Sequence, residues 1–172
     1  MERFKRTAFV SVMAGGLLVL VTSPLVFSHC EIPCGIYDDQ MRLDMMAEHI
    51  ATIEKSIKQI NELSAPKDKN YNQLVRWVMN KESHADHLSD IVTQYFMKQR
   101  IKPAEKHESE AYEQYVRRLT LLHNVMIYAM KCKQTTDLAN VEQLKSLLGE
   151  FRAAYLGPSD SGQHEHEAHK HG

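Results

Sequence analysis

The sequence predicts an all-α fold, an antiparallel up-down four-helix bundle that follows an irregular N-terminal segment. Four stretches carry apolar residues three and four positions apart, the spacing that places side chains on one face of a helix. Prolines, glycines and short polar clusters separate these stretches, and none shows a convincing strand pattern. Because each apolar stripe has to be buried against the others, four helices with short connections indicate a bundle.

The chain begins with a segment, residues 1–28, that has the plan of a cleavable signal peptide. Three basic residues precede an apolar run over residues 8–20, and Pro24 follows it. A small residue, Ser28, stands directly before His29, so we expect cleavage between the two. The mature protein is therefore predicted to be exported, periplasmic or secreted, with no stable membrane association after cleavage.

An uncleaved membrane anchor is the alternative interpretation of this segment. About 20 largely apolar residues are long enough to span a bilayer. A lipid anchor is disfavoured, because lipid attachment needs a small residue before the cysteine and His29 precedes Cys30.

The first predicted helix carries one continuous apolar stripe and ends at a proline. Pro66 lacks an amide proton and disfavours the helical conformation in the residue before it, so the helix is expected to stop near Ser64. The second stripe is interrupted by the polar Lys81 and closes near Pro103. The two stripes consist of Leu43, Met46, Ile50, Ile53, Ile57 and Ile60, then Leu74, Val78, Leu88, Val92 and Tyr95.

The third and fourth predicted helices are separated by a polar cluster, residues 134–137, that offers a turn and an N-cap. Their stripes consist of Tyr112, Val116, Leu119, Met126 and Met130, then Leu138, Val141, Leu144, Leu148, Phe151 and Tyr155. We expect Cys132, at the end of the third stripe, to be a small buried or half-buried residue and not a metal ligand. Gly157 and Pro158 stop the last helix, so the bundle domain with its preceding segment spans residues 29–157.

Residues 158–172 form a tail that is predicted to be disordered. The tail is rich in glycine and serine and then in histidine, with no apolar pattern that could form a core. Its four histidines, His164, His166, His169 and His171, are consistent with weak metal binding or with a solvated segment of no function.

The length, net charge and cysteine count of the chain exclude several classes of protein. The chain has 172 residues, enough for one core and few for two, and its formal net charge is -1. Neither half is strongly basic, so nucleic acid is not an expected partner. Three cysteines cannot all pair within one chain, which argues against a disulfide scaffold.

The most informative segment is residues 29–37, His-Cys-Glu-Ile-Pro-Cys-Gly-Ile-Tyr. His29, Cys30 and Cys34 fall within six positions at the predicted new N-terminus. Thiolates favour soft or borderline metals, and cleavage before His29 would add a free α-amine. An amine, an amide nitrogen and two thiolates can form a planar set that suits nickel(II) or copper(II) better than tetrahedral zinc. The segment is therefore interpreted as an irregular N-terminal metal hook.

Two plainer interpretations stay open on the residues alone. Cys30 and Cys34 could form a small-loop disulfide in an oxidising compartment, or the segment could be a flexible N-terminus with incidental cysteines. The protein would then be a structural or signalling bundle without a metal.

Residues 29–37 match every fixed position of the pattern His-Cys-x-x-Pro-Cys-Gly-x-Tyr. In this the chain resembles the nickel-containing superoxide dismutases, whose nickel hook carries that signature. The resemblance extends more loosely to about residue 156 and includes the stretch over residues 94–103. It implies a homohexamer of four-helix bundles, a nickel ion in each subunit, and superoxide as the substrate.

The resemblance also implies which residues form the site. The ligands would be the amine and imidazole of His29, the amide and thiolate of Cys30, and the thiolate of Cys34. Tyr37 takes the place of the tyrosine near the open face of the metal, which orders water or the incoming anion, and we expect it to be catalytic. Glu31 departs from the aspartate in the most familiar form of the motif, so a role for its side chain stays open.

Partners for the imidazole of His29 are less defined. Asp44, Arg76 and His84 are candidates and are not included in the predicted site. The other bundle histidines, His49, His87, His107 and His123, show no helical pairing with other ligand types, so surface or satisfied core positions are expected.

The activity implied by the resemblance is conversion of superoxide to oxygen and hydrogen peroxide by Ni(II)/Ni(III) cycling. Anionic thiolates and an amidate would stabilise Ni(III), and the imidazole of His29 would bind axially in that state. The alternative function is an exported nickel or copper carrier without catalysis, which the His-rich tail also suggests.

Overall fold

The computed structural model describes residues 37–157. The predicted signal peptide, the hook before Tyr37 and the His-rich tail lie outside the described residues. Four α-helices span the described part: α1 over Asp39–Ser64, α2 over Tyr71–Asp90, α3 over Ser109–Gln134 and α4 over Ala139–Leu156. A π-helical segment, Ile91–Arg100, continues α2.

The helices pack as a closed ring in which α1 contacts α2, α2 contacts α3, α3 contacts α4, and α4 contacts α1. Consecutive helices with short connections run antiparallel, and the described residues contain no strand. The predicted all-α, up-down four-helix bundle is confirmed. None of the described helices has the length and apolar character needed to cross a bilayer.

Local capping explains where several helices begin and end. Asp38 accepts a hydrogen bond from the Met41 amide at 2.8 Å, and Asn70 accepts one from the Gln73 amide at 3.2 Å. These side chains satisfy amide groups that have no partner within the first turn of a helix. After α4, Gly157 adopts a φ of 79°, a left-handed conformation that favours glycine and stops the helix as predicted.

The core confirms the predicted stripes of α1 and most of the stripe of α4. All six apolar residues predicted for α1 are buried, from Leu43 to Ile60. In α4, Val141, Leu144, Leu148 and Phe151 are buried, and Leu138 and Tyr155 pack against the core from its edge. Cys132 is fully buried as predicted, and burial raises the pKa of its thiol to about 11.

The predicted core positions Val78, Val116 and Met130 are wrong, because these side chains are exposed. Leu119 and Met126 of the predicted α3 stripe pack against the core from its edge. The buried residues of α3 form a neighbouring set: Leu121, Leu122, Val125, Ala129 and Cys132. Apolar residues occupy more than one face of this helix, so spacing alone could not identify the face that meets the other helices. In α2, Lys81 is only 4% exposed and lies on the buried face.

The π-helical segment changes which of its side chains lie on the same face. The amide of Ile101 donates to the carbonyl of Phe96 at 2.8 Å, a bond across five residues. Residues five apart, such as Tyr95 and Arg100, are therefore neighbours across one turn. In an α-helix, at 3.6 residues per turn, they would point in clearly different directions.

Candidate functional site

The described part of the predicted site is Tyr37, the last residue of the signature. Its side chain is 42% exposed. The guanidinium carbon of Arg100 lies 4.3 Å from the centre of the Tyr37 ring, and the Tyr95 ring meets it edge-on with centroids 6.0 Å apart. His29, Cys30 and Cys34 lie outside the described residues, so their arrangement stays a prediction.

Two residues after Tyr37, the carboxylate of Asp39 accepts four hydrogen bonds. Arg100 donates from Nε to Oδ1 at 2.8 Å and from Nη2 to Oδ2 at 2.6 Å. Tyr95 donates its hydroxyl proton to Oδ1 at 2.6 Å, and Tyr155 donates to Oδ2 at 2.9 Å. The Arg100 contact is bidentate, the arrangement in which guanidinium and carboxylate fit most specifically. We call Asp39, Tyr95, Arg100 and Tyr155 the Asp39 cluster.

The hydrogen bonds determine the charge state of this cluster. Burial by itself would raise the pKa of the Asp39 carboxyl, but the bonds from Arg100, Tyr95 and Tyr155 together keep it below its usual value. Burial and the bond to Asp39 raise the pKa of both Tyr95 and Tyr155. At neutral pH the cluster therefore holds an ionised carboxylate, a charged guanidinium and two protonated phenols.

Aromatic packing joins the Asp39 cluster to the core. Phe96, which is fully buried, makes edge-to-face contacts with Tyr95 at 5.0 Å and with Tyr155 at 5.3 Å. Arg42 lies over the Tyr95 ring at 5.2 Å. Its Nε is buried without a hydrogen-bond partner among the residues described here. The tyrosines are thus held from the core side, which limits their movement.

The three candidate partners of the imidazole occupy separate surroundings. Asp44 forms an ion pair with Arg152 at 2.6 Å, and this hydrogen bond lowers the pKa of its carboxyl. Arg76 is exposed on α2. The Nδ1 atom of His84 lies 2.9 Å from that of His49.

His84 belongs to a cluster that the sequence interpretation missed. The rings of His49, His84 and His87 have their centroids 5.0 to 5.9 Å apart, and we call them the histidine cluster. Burial lowers the pKa of His49 and His84, and the nearby imidazoles lower it further. Over residues 37–157, no group of three or more His, Cys, Asp or Glu side chains is arranged to hold a metal ion.

Sequence reasoning also missed the Asp39 cluster as a unit. Asp39 reads as an ordinary acidic residue in the first turn of a helix, and Arg100 is 61 positions away. Tyr95 was part of the stretch that resembles the dismutase family, but its contact with Tyr37 has no local signal.

Comparison with known proteins agrees with the signature. A family model of nickel-containing superoxide dismutases matches residues 24–158, which include the whole signature and the described bundle. A search of the curated proteins and a search of the solved structures each found no match. The chain therefore belongs to the nickel-containing superoxide dismutase family and is an oxidoreductase that uses nickel.

Proposed function

We propose that the mature protein dismutes superoxide to oxygen and hydrogen peroxide with nickel held by His29, Cys30 and Cys34. The observation that carries the proposal is the complete signature over residues 29–37, inside a family match over residues 24–158. The ligand assignments and the Ni(II)/Ni(III) cycle come from the resemblance of this signature to the family's nickel hook.

The donor set of the hook fits nickel. Two thiolates, an amidate and an amine are strong donors that can lie in one plane, as square-planar nickel(II) prefers. Bound nickel would supply a one-electron couple that takes an electron from one superoxide and gives it to the next. Zinc has no such redox couple and prefers a tetrahedral site, so the same donors point away from a zinc enzyme.

The tyrosines of the Asp39 cluster and Tyr37 differ in whether they can supply a proton. Tyr95 and Tyr155 both donate hydrogen bonds to Asp39, and the raised pKa of each phenol means that it does not readily release its proton. The proton sources left for peroxide formation are Tyr37, water and a thiol. The exposed side chain of Tyr37 is consistent with a role in ordering water or the incoming anion.

Cleavage before His29 is part of the proposal. The α-amine of His29 exists only after this cut, because in the precursor the same nitrogen belongs to a planar, weakly basic peptide bond. Removal of the predicted signal peptide would therefore both release the exported chain and create a nickel ligand. A precursor that keeps residues 1–28 would be inactive.

Assembly as a homohexamer is also proposed. Its support in the described bundle is a row of exposed apolar side chains along α2, Tyr71, Val75, Val78 and Met79, spaced as one helix face. We call this row the outer face of α2. Uncovered apolar rows of this kind are typical of protein contact surfaces.

Cysteine variants test the proposal directly. We expect Cys30→Ser and Cys34→Ser each to lose nickel and at least about 100-fold in superoxide turnover, because a neutral hydroxyl is a poor substitute for a thiolate. Helical content should stay unchanged, since the four helices and the core cluster described above lie within residues 39–156. The matched control is Cys132→Ser, which alters a buried thiol of the bundle and should keep its nickel. Nickel per subunit and superoxide decay are measured on protein that starts at His29.

The same assay separates the rival functions. A protein with one extra alanine before His29 should retain little activity per nickel, and equal turnover in both forms would refute the amine ligand. Nickel binding without superoxide consumption would favour the carrier. Native protein without metal, and with Cys30 and Cys34 joined in a disulfide, would favour a structural bundle.

A further inference from the structure

Arg100 contacts two groups at once. Its Nε and Nη2 atoms bind the carboxylate of Asp39, and its guanidinium lies over the Tyr37 ring at 4.3 Å. The guanidinium is planar, so one edge can bind a carboxylate while the face lies on an aromatic ring. Asp39 therefore holds Arg100 in the orientation in which it covers Tyr37.

The π-helical segment makes this arrangement possible. Tyr95 and Arg100 are five residues apart and both reach the carboxylate of Asp39. They point the same way because five residues complete about one turn of a π-helix. π-helical turns are often found at functional sites, and here the segment Ile91–Arg100 places two donors on the same acceptor.

We propose that Arg100, oriented by Asp39, is a positioning residue that fixes the ring of Tyr37. This inference rests on the proposed function, in which Tyr37 stands at the open face of the metal. Arg100 does not touch the reacting atoms in this scheme, and its effect passes through Tyr37. The π-helical segment is the feature of the fold that brings Arg100 to Asp39 and to the Tyr37 ring.

The first test measures the restraint on Tyr37 without using activity. Chymotrypsin cuts after tyrosine, so the rate of cleavage between Tyr37 and Asp38 in the metal-free mature protein reports how firmly this residue is held. We expect Arg100→Met to raise the rate about tenfold, because both the bidentate bond and the ring contact are lost. Arg100→Lys keeps the charge but loses the planar face, so its rate should fall between those of the Met variant and the parent.

The matched control for this test is Lys133→Met. Lys133 forms an ion pair with Asp86 at 2.7 Å and joins α2 to α3. Removing it also deletes one cation and one cross-helix pair, but none of its contacts involve Tyr37, so cleavage after Tyr37 should not change. A cleavage rate in Arg100→Met equal to that of the parent protein would overturn the proposal.

The second test asks whether Arg100 acts through the hydroxyl of Tyr37. We expect Arg100→Met to lower turnover per bound nickel about tenfold or more, since small misplacements of catalytic groups are costly. In the Tyr37→Phe background the same substitution should cost less than about twofold, because the hydroxyl, which Arg100 positions through the ring, is already absent. Nickel per subunit should be the same in all four proteins.

The outcomes also separate this inference from the proposed function. Equal losses of turnover in the two backgrounds would indicate a general structural effect of Arg100 and would refute the positioning role. If the parent protein consumes no superoxide, the proposed function fails. The cleavage test would then still decide whether Arg100 holds Tyr37.

Discussion

His49 and His84 meet across α1 and α2 with their Nδ1 atoms 2.9 Å apart. At this distance one nitrogen donates a proton and the other accepts it, so at least one ring must be neutral. Burial lowers the pKa of both residues, and the charge of His87 acts in the same direction. Glu48 opposes the shift, because its carboxylate favours charged imidazoles.

These directions predict that the bundle loses stability on acidification. In the unfolded chain a histidine binds a proton near pH 6.5, whereas in the folded chain His49 and His84 bind it only at lower pH. Between the folded and unfolded pKa values the unfolded state holds more protons. The free energy of unfolding therefore rises with pH. The contribution of the two histidines to it is complete above about pH 6.5 and is lost as the pH falls from there through their lower folded-state pKa values.

His49→Gln tests this coupling, since glutamine can still hydrogen-bond to His84 but cannot titrate. We expect urea unfolding between about pH 7 and pH 5 to depend less on pH in this variant. The reduction should stay below the ~1.4 kcal/mol per pH unit of one full proton, because His49 is partly exposed. His123→Gln, which removes an exposed histidine of α3, is the control. An unchanged pH slope in His49→Gln would contradict the prediction.

Both clusters show which contacts a sequence cannot reveal at the level of single residues. The signature over residues 29–37 is local, so its residue types and spacing could be recognised directly. The bond between His49 and His84 joins positions 35 apart, and that between Asp39 and Arg100 joins positions 61 apart. Such pairs depend on helix register and packing, and no pattern in a single sequence encodes them.

Lys81 connects α2 to the end of α3. Its Nζ donates to the carbonyl oxygen of Lys133 at 2.6 Å and to that of Thr135 at 3.4 Å. Carbonyl groups at a helix C-terminus have no partner within the helix and carry partial negative charge, so a buried cation satisfies and stabilises them. Burial lowers the pKa of the Lys81 ammonium group. Lys81, the polar residue that interrupts the apolar stripe of α2, therefore has a structural role: it binds the end of α3.

Lys81→Met should destabilise the bundle by about 1–3 kcal/mol, because the Lys133 carbonyl loses a charged donor that the methionine cannot replace. The comparison is Lys133→Met, which removes an ion pair with the mostly exposed Asp86 and should cost less than about 1 kcal/mol. Both are measured by urea unfolding at one pH and one protein concentration. An equal decrease in the free energy of unfolding in the two variants would show that the buried Lys81 contact stabilises the bundle no more than the exposed ion pair does.

At the level of the helices, how well the buried face could be predicted depends on how many faces of the helix carry apolar residues. α1 has one apolar stripe and was predicted correctly, because only one way of burying it exists. The stripe predicted for α3 was only partly right: Leu119 and Met126 pack against the core, whereas Val116 and Met130 are exposed. Leu122 and Val125, on a neighbouring face that was not predicted, are fully buried. The π-helical segment was missed because apolar residues three and four positions apart do not reveal where the backbone hydrogen bonds change to a span of five residues.

At the scale of the molecule, the apolar side chains that residues 37–157 leave exposed are concentrated on α2 and α3. The outer face of α2 exposes 56% of Val75 and 68% of Met79. α3 adds Val116, Ile127 and Met130, whose side chains lie outside the core of a single subunit and are exposed. A homohexamer would explain why these positions are apolar although they are exposed in a single subunit.

Light scattering of the mature protein should accordingly report about six subunits, and charge on the outer face of α2 should reduce this number. We expect the double variant Val75→Lys, Met79→Lys to form smaller species, because burying two ammonium groups at an apolar contact is costly. The control is Gln143→Lys, Ser146→Lys, which adds the same charge to exposed positions of α4. A monomeric parent protein would contradict the hexamer. If both double variants keep about six subunits, the contact lies elsewhere on the bundle, and the apolar residues of α3 become the next positions to substitute.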